Sequence, residues 1–214
     1  MKSLHLLFIL LFPISLMAQS FEGKIVYSIK YKDLPAEMEQ MSSMLPSNQT
    51  IWIKGDKSRF EQKMAQASTI VITDASAGSS TILMDMMGQK YKMDIPKEEM
   101  AAMISDQEIP EINYVAGTRE IAGYTCHKAE VKMAGFDDVA IFYYTEEIPP
   151  VKVQGMEALQ LKGMFMAYEF SANNMTMVIE VATIDKSAVS DSKFKIPAGY
   201  VDMPAEMKAM MGLK

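Results

Sequence analysis

Few residues in this chain are equipped for chemistry. Cys126 and His127 stand side by side in IAGYTCHKAEV, the first being the only cysteine and the second the only histidine besides His5. A thiolate nucleophile needs a base within hydrogen-bond reach, and neighbours in a strand leave on opposite faces. The two therefore do not read as a nucleophile and its base, and Cys126 reads as an inert thiol. One remaining histidine allows no triad. Asp137-Asp138 and Glu146-Glu147 have the composition of turns, and no glycine loop of the phosphate-cradling kind is present. No catalytic activity and no cofactor are expected.

Sulfur is the other candidate. The chain carries 22 methionines in 214 residues, four of them in TILMDMMGQKYKMD, Thr81 to Asp94. A thioether is either a soft ligand, suited to Cu(I), or an adaptable apolar filler. Met84 opposite Met93, and the M-x-M spacing of Met175 and Met177, are the arrangements that would bring sulfurs together. Ile82, Ile95, Phe170 and Ile179 share those faces and point to packing, so a Cu(I) binder is the alternative reading rather than the first.

The elements that position these side chains are mostly strands. FEGKIVYSIKY alternates with period two, Phe21, Ile25, Tyr27, Ile29 and Tyr31 pointing one way and Glu22, Lys24, Ser28 and Lys30 the other. QTIWIKG, KSRFEQKM and STIVITD follow, broken at Gly55-Asp56 and near Gln66, as in an antiparallel meander. Gly88-Gln89 suits a two-residue type II′ turn. That register pairs Met86 with Tyr91, Met84 with Met93 and Ile82 with Ile95, and places Asp85 opposite Lys92. Further on, a type I′ turn at Asn173-Asn174 pairs Phe170 with Met177, Tyr168 with Ile179 and Met166 with Val181, and on the reverse face Ser171 with Thr176 and Ala167 with Glu180. YTCHKAEVKMAG and DDVAIFYYTEE form another strand pair joined around Gly135.

Three segments break the strand rhythm: LPAEMEQMSSML from Leu34, IPKEEMAAMIS from Ile95 and MPAEMKAMMGL from Met203. Each sets proline where a first helical turn accepts it and glutamate soon after, where the helix dipole favours an acid. Their apolar stripes are Met38, Met41 and Met44; Met100, Met103 and Ile104; and Met207, Met210 and Met211. Three short amphipathic helices are expected, each with a greasy side to cover. Trp52 is expected to anchor a strand against a helix. Lys57 and Arg59 read as solvated edge charges, or as contacts for a charged headgroup.

Residues 1–20 carry one lysine, an apolar run from Leu6 to Phe12, Pro13, and small residues near Ala18 and Ser20. This is the pattern of a secretory signal peptide, too short to span a bilayer. With no cysteine after the cut, a lipoprotein is not expected; a soluble periplasmic or extracellular protein is. Its removal takes Lys2, leaving 20 basic against 27 acidic residues, so the formal charge of −6 becomes −7. That balance disfavours nucleic acid and anionic membranes as partners. No later apolar run is long enough to be an integral membrane segment. Residues 21–214 are long enough for one cored domain without disulfides.

The stretches IWIKGDKSRFEQ, ITDASAGSSTILMDMMGQKYKM, IAGYTCHKAEV and VSDSKFKIPAGY resemble the secreted bacterial family called domain of unknown function 4412. More distantly, the chain resembles the lipoprotein-carrier fold of the LolA, LolB and LppX type. The resemblance spans nearly all of residues 21–214. It implies an α+β, mainly β fold: a strongly curved antiparallel sheet forming an incomplete barrel of roughly ten strands, with about three short helices plugging its open side. It supplies no catalytic residues. On this reading a cavity for a lipid or acyl chain is lined by Met38, Met41, Ile82, Met84, Met86, Tyr91, Met93, Met100, Met103, Met166, Tyr168, Phe170, Met177 and Ile179. A structural or interaction module without a small ligand is the third reading.

Overall fold

The computed structural model describes residues 21–105, 108–133, 138–151, 158–172 and 175–210. Twelve strands form one open sheet in the order β12-β6-β5-β4-β3-β2-β1-β11-β10-β9-β8-β7. They are β1 (Glu22–Lys32), β2 (Asn48–Lys54), β3 (Lys57–Lys63), β4 (Ala67–Asp74), β5 (Ser79–Met86), β6 (Gln89–Ile95), β7 (Glu111–Ile121), β8 (Tyr124–Lys132), β9 (Ala140–Thr145), β10 (Met164–Ala172), β11 (Met175–Asp185) and β12 (Val201–Asp202). Two meanders, β1 to β6 and β7 to β11, are joined where the first strand pairs with β11. Every pairing is antiparallel except the short parallel contact of β12 with β6. An open, unclosed sheet of this width, with short helices beside it, fits a half-barrel.

Period-two patterning places one apolar ribbon on one face of this sheet. Cross-strand partners run Ile184, Ile25, Ile51, Phe60, Val71, Ile82 and Met93 across seven strands. A parallel row runs Ile29, Ile179, Tyr168, Phe142, Ala129 and Tyr114 out to the other edge. The main core gathers where the rows overlap, around β1, β2 and β8 to β11, with Ile25, Tyr27, Phe142 and Met166 fully enclosed. Its aromatic rings interlock: Phe142 stacks on Tyr168 at 5.2 Å and Tyr27 on Phe165 at 5.6 Å.

Irregularities in pairing hold this ribbon on its face. A shift between Val26 and Tyr27 skips one residue of β11, and another between Phe165 and Ala167 leaves Met166 as the extra residue of β10. A larger one, between Tyr114 and Thr118, bends β7. Arg119, just beyond that irregularity, pairs with Glu180 of β11, across the three intervening strands, its guanidinium over the Tyr143 ring. Cys126, opposite Arg119, is buried. At the start of β10 the chain passes so close to β9 that a Cβ at Gly163 would collide with the Thr145 carbonyl.

The strands expected from alternation form as read, and the hairpin between β10 and β11 keeps the expected register: Tyr168 faces Ile179, Phe170 faces Met177, Ser171 faces Thr176 and Ala167 faces Glu180. Its turn at Asn173-Asn174 lies outside the described residues, as does Gly135. The hairpin between β5 and β6 is corrected. Its turn residues are Met87 and Gly88, both at positive φ (55° and 87°), and Met86 pairs with Gln89. Met84 therefore faces Tyr91 rather than Met93, Ile82 faces Met93 rather than Ile95, and Asp85 faces Lys90 rather than Lys92. The slip is two residues, so every side chain keeps its expected face. Two positive φ angles in succession mark a type I′ turn, whose twist matches that of the flanking strands better than the cost of a left-handed methionine opposes it.

The expected helices are corrected in part. The first is one turn, α1 (Ala36–Glu39), followed by a 3₁₀ turn at Ser42–Met44. The other two form as α2 (Lys97–Ser105) and α3 (Ala205–Met210), each preceded by proline and carrying glutamate in its first turn. Strand β7 had no counterpart in the alternation analysis, and neither did the two-residue β12.

Met87→Asn tests the turn. Asparagine tolerates the left-handed region, and Asn-Gly is the favoured type I′ pair, so the variant is expected to unfold about 0.5–1 kcal/mol later in a urea titration, with an unchanged slope.

Candidate functional site

The candidate site is the ribbon face, and it has three parts. At the centre lies the main core already described. Met166, Tyr168 and Ile179 belong to it as buried members, and Met177 packs against it half-buried. At the β6 edge lies a second cluster. Met93, Ile95 and Met203 are buried there, with Ile82, Met84, Tyr91, Met100 and Met207 packed against them. Between the two run β3 and β4, where the flanking rows turn polar: Ser58, Thr73 and Ser80 on one side of the ribbon, Gln62 and Thr69 on the other. Along the ribbon here Val71 is buried, whereas Phe60 and Ile82 on either side of it are half-buried, as are Met84, Met86 and Tyr91 beside them.

The structure thus brings Ile82, Met84, Tyr91, Met93 and Met100 together, and sets Met166, Tyr168, Met177 and Ile179 apart from them in the main core. Met38 is half-buried, while Met41 is 52% exposed and Met44 is exposed too, because one helical turn followed by a 3₁₀ turn cannot present a continuous stripe. The side chains of Met103 and Phe170 lie outside the described residues. Four contributors were absent from the expected cavity lining: Phe60, Ile95, Met203 and Met207. Phe60 was legible, since it alternates in phase with Ser58 and Gln62 in the third strand. Met203 was not, because its burial depends on a chain path that no local pattern encodes.

That path is set by the C-terminal segment. It leaves β11 and crosses the face opposite the ribbon, where Lys54 donates to the Val189 carbonyl and pairs with Asp191 at 2.8 Å. Arg59 is corrected here: it is no edge charge but a buried anchor. Its Nε donates to Glu61 at 2.5 Å and its Nη1 to the Lys193 carbonyl at 2.9 Å. Lys193 lies in a 3₁₀ turn (Asp191–Phe194) with its ammonium 4.6 Å from the centre of the Trp52 ring. Trp52 is therefore covered by a 3₁₀ turn and lysine stems rather than by an α-helix. The segment then rounds the sheet edge as β12, held by the Met203 amide donating to the Lys92 carbonyl and by Lys92 paired with Asp202 at 2.6 Å. Met203 and α3 arrive on the ribbon side.

Two buried phenols of the main core have hydrogen-bond partners. The Tyr27 hydroxyl donates to the Phe165 carbonyl at 3.1 Å, and Gln49, itself buried, bonds the Tyr168 hydroxyl. Burial pushes the Tyr168 phenol up to about 12, the Gln49 bond offsetting part of that effect. Burial, with Tyr168 as the next cause, raises Tyr27 well above its ordinary range. Burial likewise pushes the Cys126 thiol up to about 11, and it donates weakly to the Tyr124 carbonyl at 3.4 Å. A thiol so shifted stays protonated at neutral pH and is a poor nucleophile. His127 is exposed, with its ring 5.8 Å from that of Tyr144. Among the described residues, no three of histidine, cysteine, aspartate and glutamate converge on a metal position, and no helix is long and apolar enough to cross a membrane.

No family model and no curated protein matches this chain. Solved structures do. Two crystal forms of PNGF-II superpose on 90% of the chain, at TM-scores of 0.54 and 0.52 and sequence identities of 13% and 14%. These comparisons place the fold alone. The chain spans about a third of the PNGF-II length, 33% and 32% in the two forms. LprF from Mycobacterium bovis is a distant neighbour, aligned over 83% of this chain and 90% of its own at a TM-score of 0.36 and 11% identity.

The buried phenols make stability pH-dependent with a definite sign. Their folded-state values lie above the unfolded value of about 10, so the contribution of the neutral phenols is complete below pH ~10 and is lost as pH rises through about 12. Denaturant midpoints measured from pH 8 to 12 are expected to fall from about pH 10 upward. The decline should be shallower in Tyr168→Phe, where the shifted phenol is gone.

Proposed function

We propose that this chain is a secreted, non-enzymatic binding protein for a hydrophobic ligand, a lipid or acyl chain. One observation carries the reading: the apolar ribbon continues past the main core over β3 to β6, yet Phe60, Ile82, Met84, Met86 and Tyr91 remain only half-buried there. A sheet that had only to fold would bury this strip or turn it polar, as the flanking rows are on β3 and β4. Methionine suits the role, because its unbranched thioether repacks around guests of different shape. Short α2 and α3, docked by methionines at one end of the strip, are suited to shift around a guest. The inert Cys126 and the lone exposed His127 favour binding over catalysis. The signal-like first twenty residues favour a periplasmic or extracellular setting.

The test is native mass spectrometry with lipid extraction on protein purified from its own host, together with titration of a fluorescent fatty acid. Co-purified lipid and saturable probe binding are the expected results. Phe60→Asp, which sets a carboxylate in the middle of the strip, is expected to weaken probe binding at least tenfold, about 1.4 kcal/mol, whereas Met41→Asp at an exposed position leaves it unchanged. A protein that emerges bare and ignores the probe is an interaction module instead.

A further inference from the structure

Sulfur is unevenly distributed in the interior. Among the described residues, the main core and the side chains packed against it number 32, four of them methionine, whereas the β6-edge cluster numbers eight, five of them methionine. Those five come from separate places: Met84 from β5, Met93 from β6, Met100 from α2, Met203 from the residue after β12 and Met207 from α3. Apolar filling alone does not call for this, because leucine fills similar volume with less rotamer entropy lost on burial, and the main core is filled chiefly by isoleucine, tyrosine, phenylalanine, valine and alanine. What the five share is a thioether lone pair. Their only other companions in the cluster are Ile82, Ile95 and Tyr91, and among the described residues no three of histidine, cysteine, aspartate and glutamate gather to hold a harder ion.

We propose that this cluster is a binding site for a soft monovalent metal ion of the Cu(I) class, held by thioether sulfur alone. Neutral thioethers select Cu(I) over divalent ions, which want nitrogen or oxygen donors. A single charge is also the least costly to desolvate in an apolar setting, and thioether donors need no deprotonation. Met93 and Met203 are buried donors, while Met84, Met100 and Met207 are half-buried and give an ion a way in. Because the donors come from β5, β6, α2, the β12 segment and α3, a bound ion ties the C-terminal segment to the sheet edge.

The cluster shares Ile82, Met84 and Tyr91 with the strip of the hydrophobic-ligand reading, but methionine-to-leucine exchange tests the metal alone, since it removes sulfur and keeps apolar volume. The full chain is titrated anaerobically with Cu(I) in competition with a chromogenic Cu(I) chelator, and Ag(I) serves as a redox-inert check. One equivalent is expected to be retained, with at least tenfold weaker retention in M93L/M203L and in M84L/M207L and no change in M41L. Circular dichroism melting confirms that each variant is folded; should the first double variant fail to fold, the second, at half-buried positions, decides. Phe60→Asp, which lies outside the cluster and leaves every sulfur in place, is expected to lose the fatty-acid probe and keep Cu(I), so failure of one reading is distinguishable from failure of the other. Failure of the wild-type chain to retain Cu(I), or undiminished retention in the folded leucine variants, overturns the site.

Discussion

Everything in this molecule depends on keeping one apolar ribbon on one face of a twelve-strand sheet. Side chains alternate with a period of two, so a single uncompensated register error would send the remainder of the ribbon to solvent. The pairing irregularities between Val26 and Tyr27 and between Phe165 and Ala167 act against that: each sets aside one extra residue, in β11 and in β10, so that Ile184 and Val181 on one strand, and Phe165 and Tyr168 on the other, stay with the core. The irregularity in β7 lies just before Arg119, whose side chain ties that edge strand to Glu180 of β11.

Local alternation made much of this legible beforehand. Ile25, Tyr27 and Ile29 could be assigned to one face from FEGKIVYSIKY alone, and the β10–β11 register follows from a two-residue turn between strands of unlike faces. The β5–β6 turn was missed because glycine was given the first turn position, whereas Met87 occupies it at positive φ. The opposite-face burial of Arg59 escaped because its partners, Glu61 and the Lys193 carbonyl, require a C-terminal crossing that no pattern near Arg59 announces. The eleven residues of β7 escaped for a related reason: most are exposed, so no clean alternation marks them as a strand.

The same limits explain the candidate site. Ile82, Met84, Tyr91, Met93 and Met100 could be picked out because strand and helix periods put them on apolar faces. Met203 could not, for it gains its place only after the chain has crossed one face, rounded the β6 edge and come down on the other. Met41 and Met44 showed the reverse error, since spacing by three promises a stripe only if the helix continues beyond one turn.

The seam between the two meanders has a kinetic consequence. The first strand finds one neighbour within about thirty residues, yet its other edge waits for a strand about 150 residues further on. Closing so long a loop costs entropy before any reward arrives, which makes such topologies slow to form. During synthesis the leading hairpins therefore emerge with an open, sticky margin that only the last long strand can seal, and until then the nascent chain is at its most vulnerable to wrong pairing.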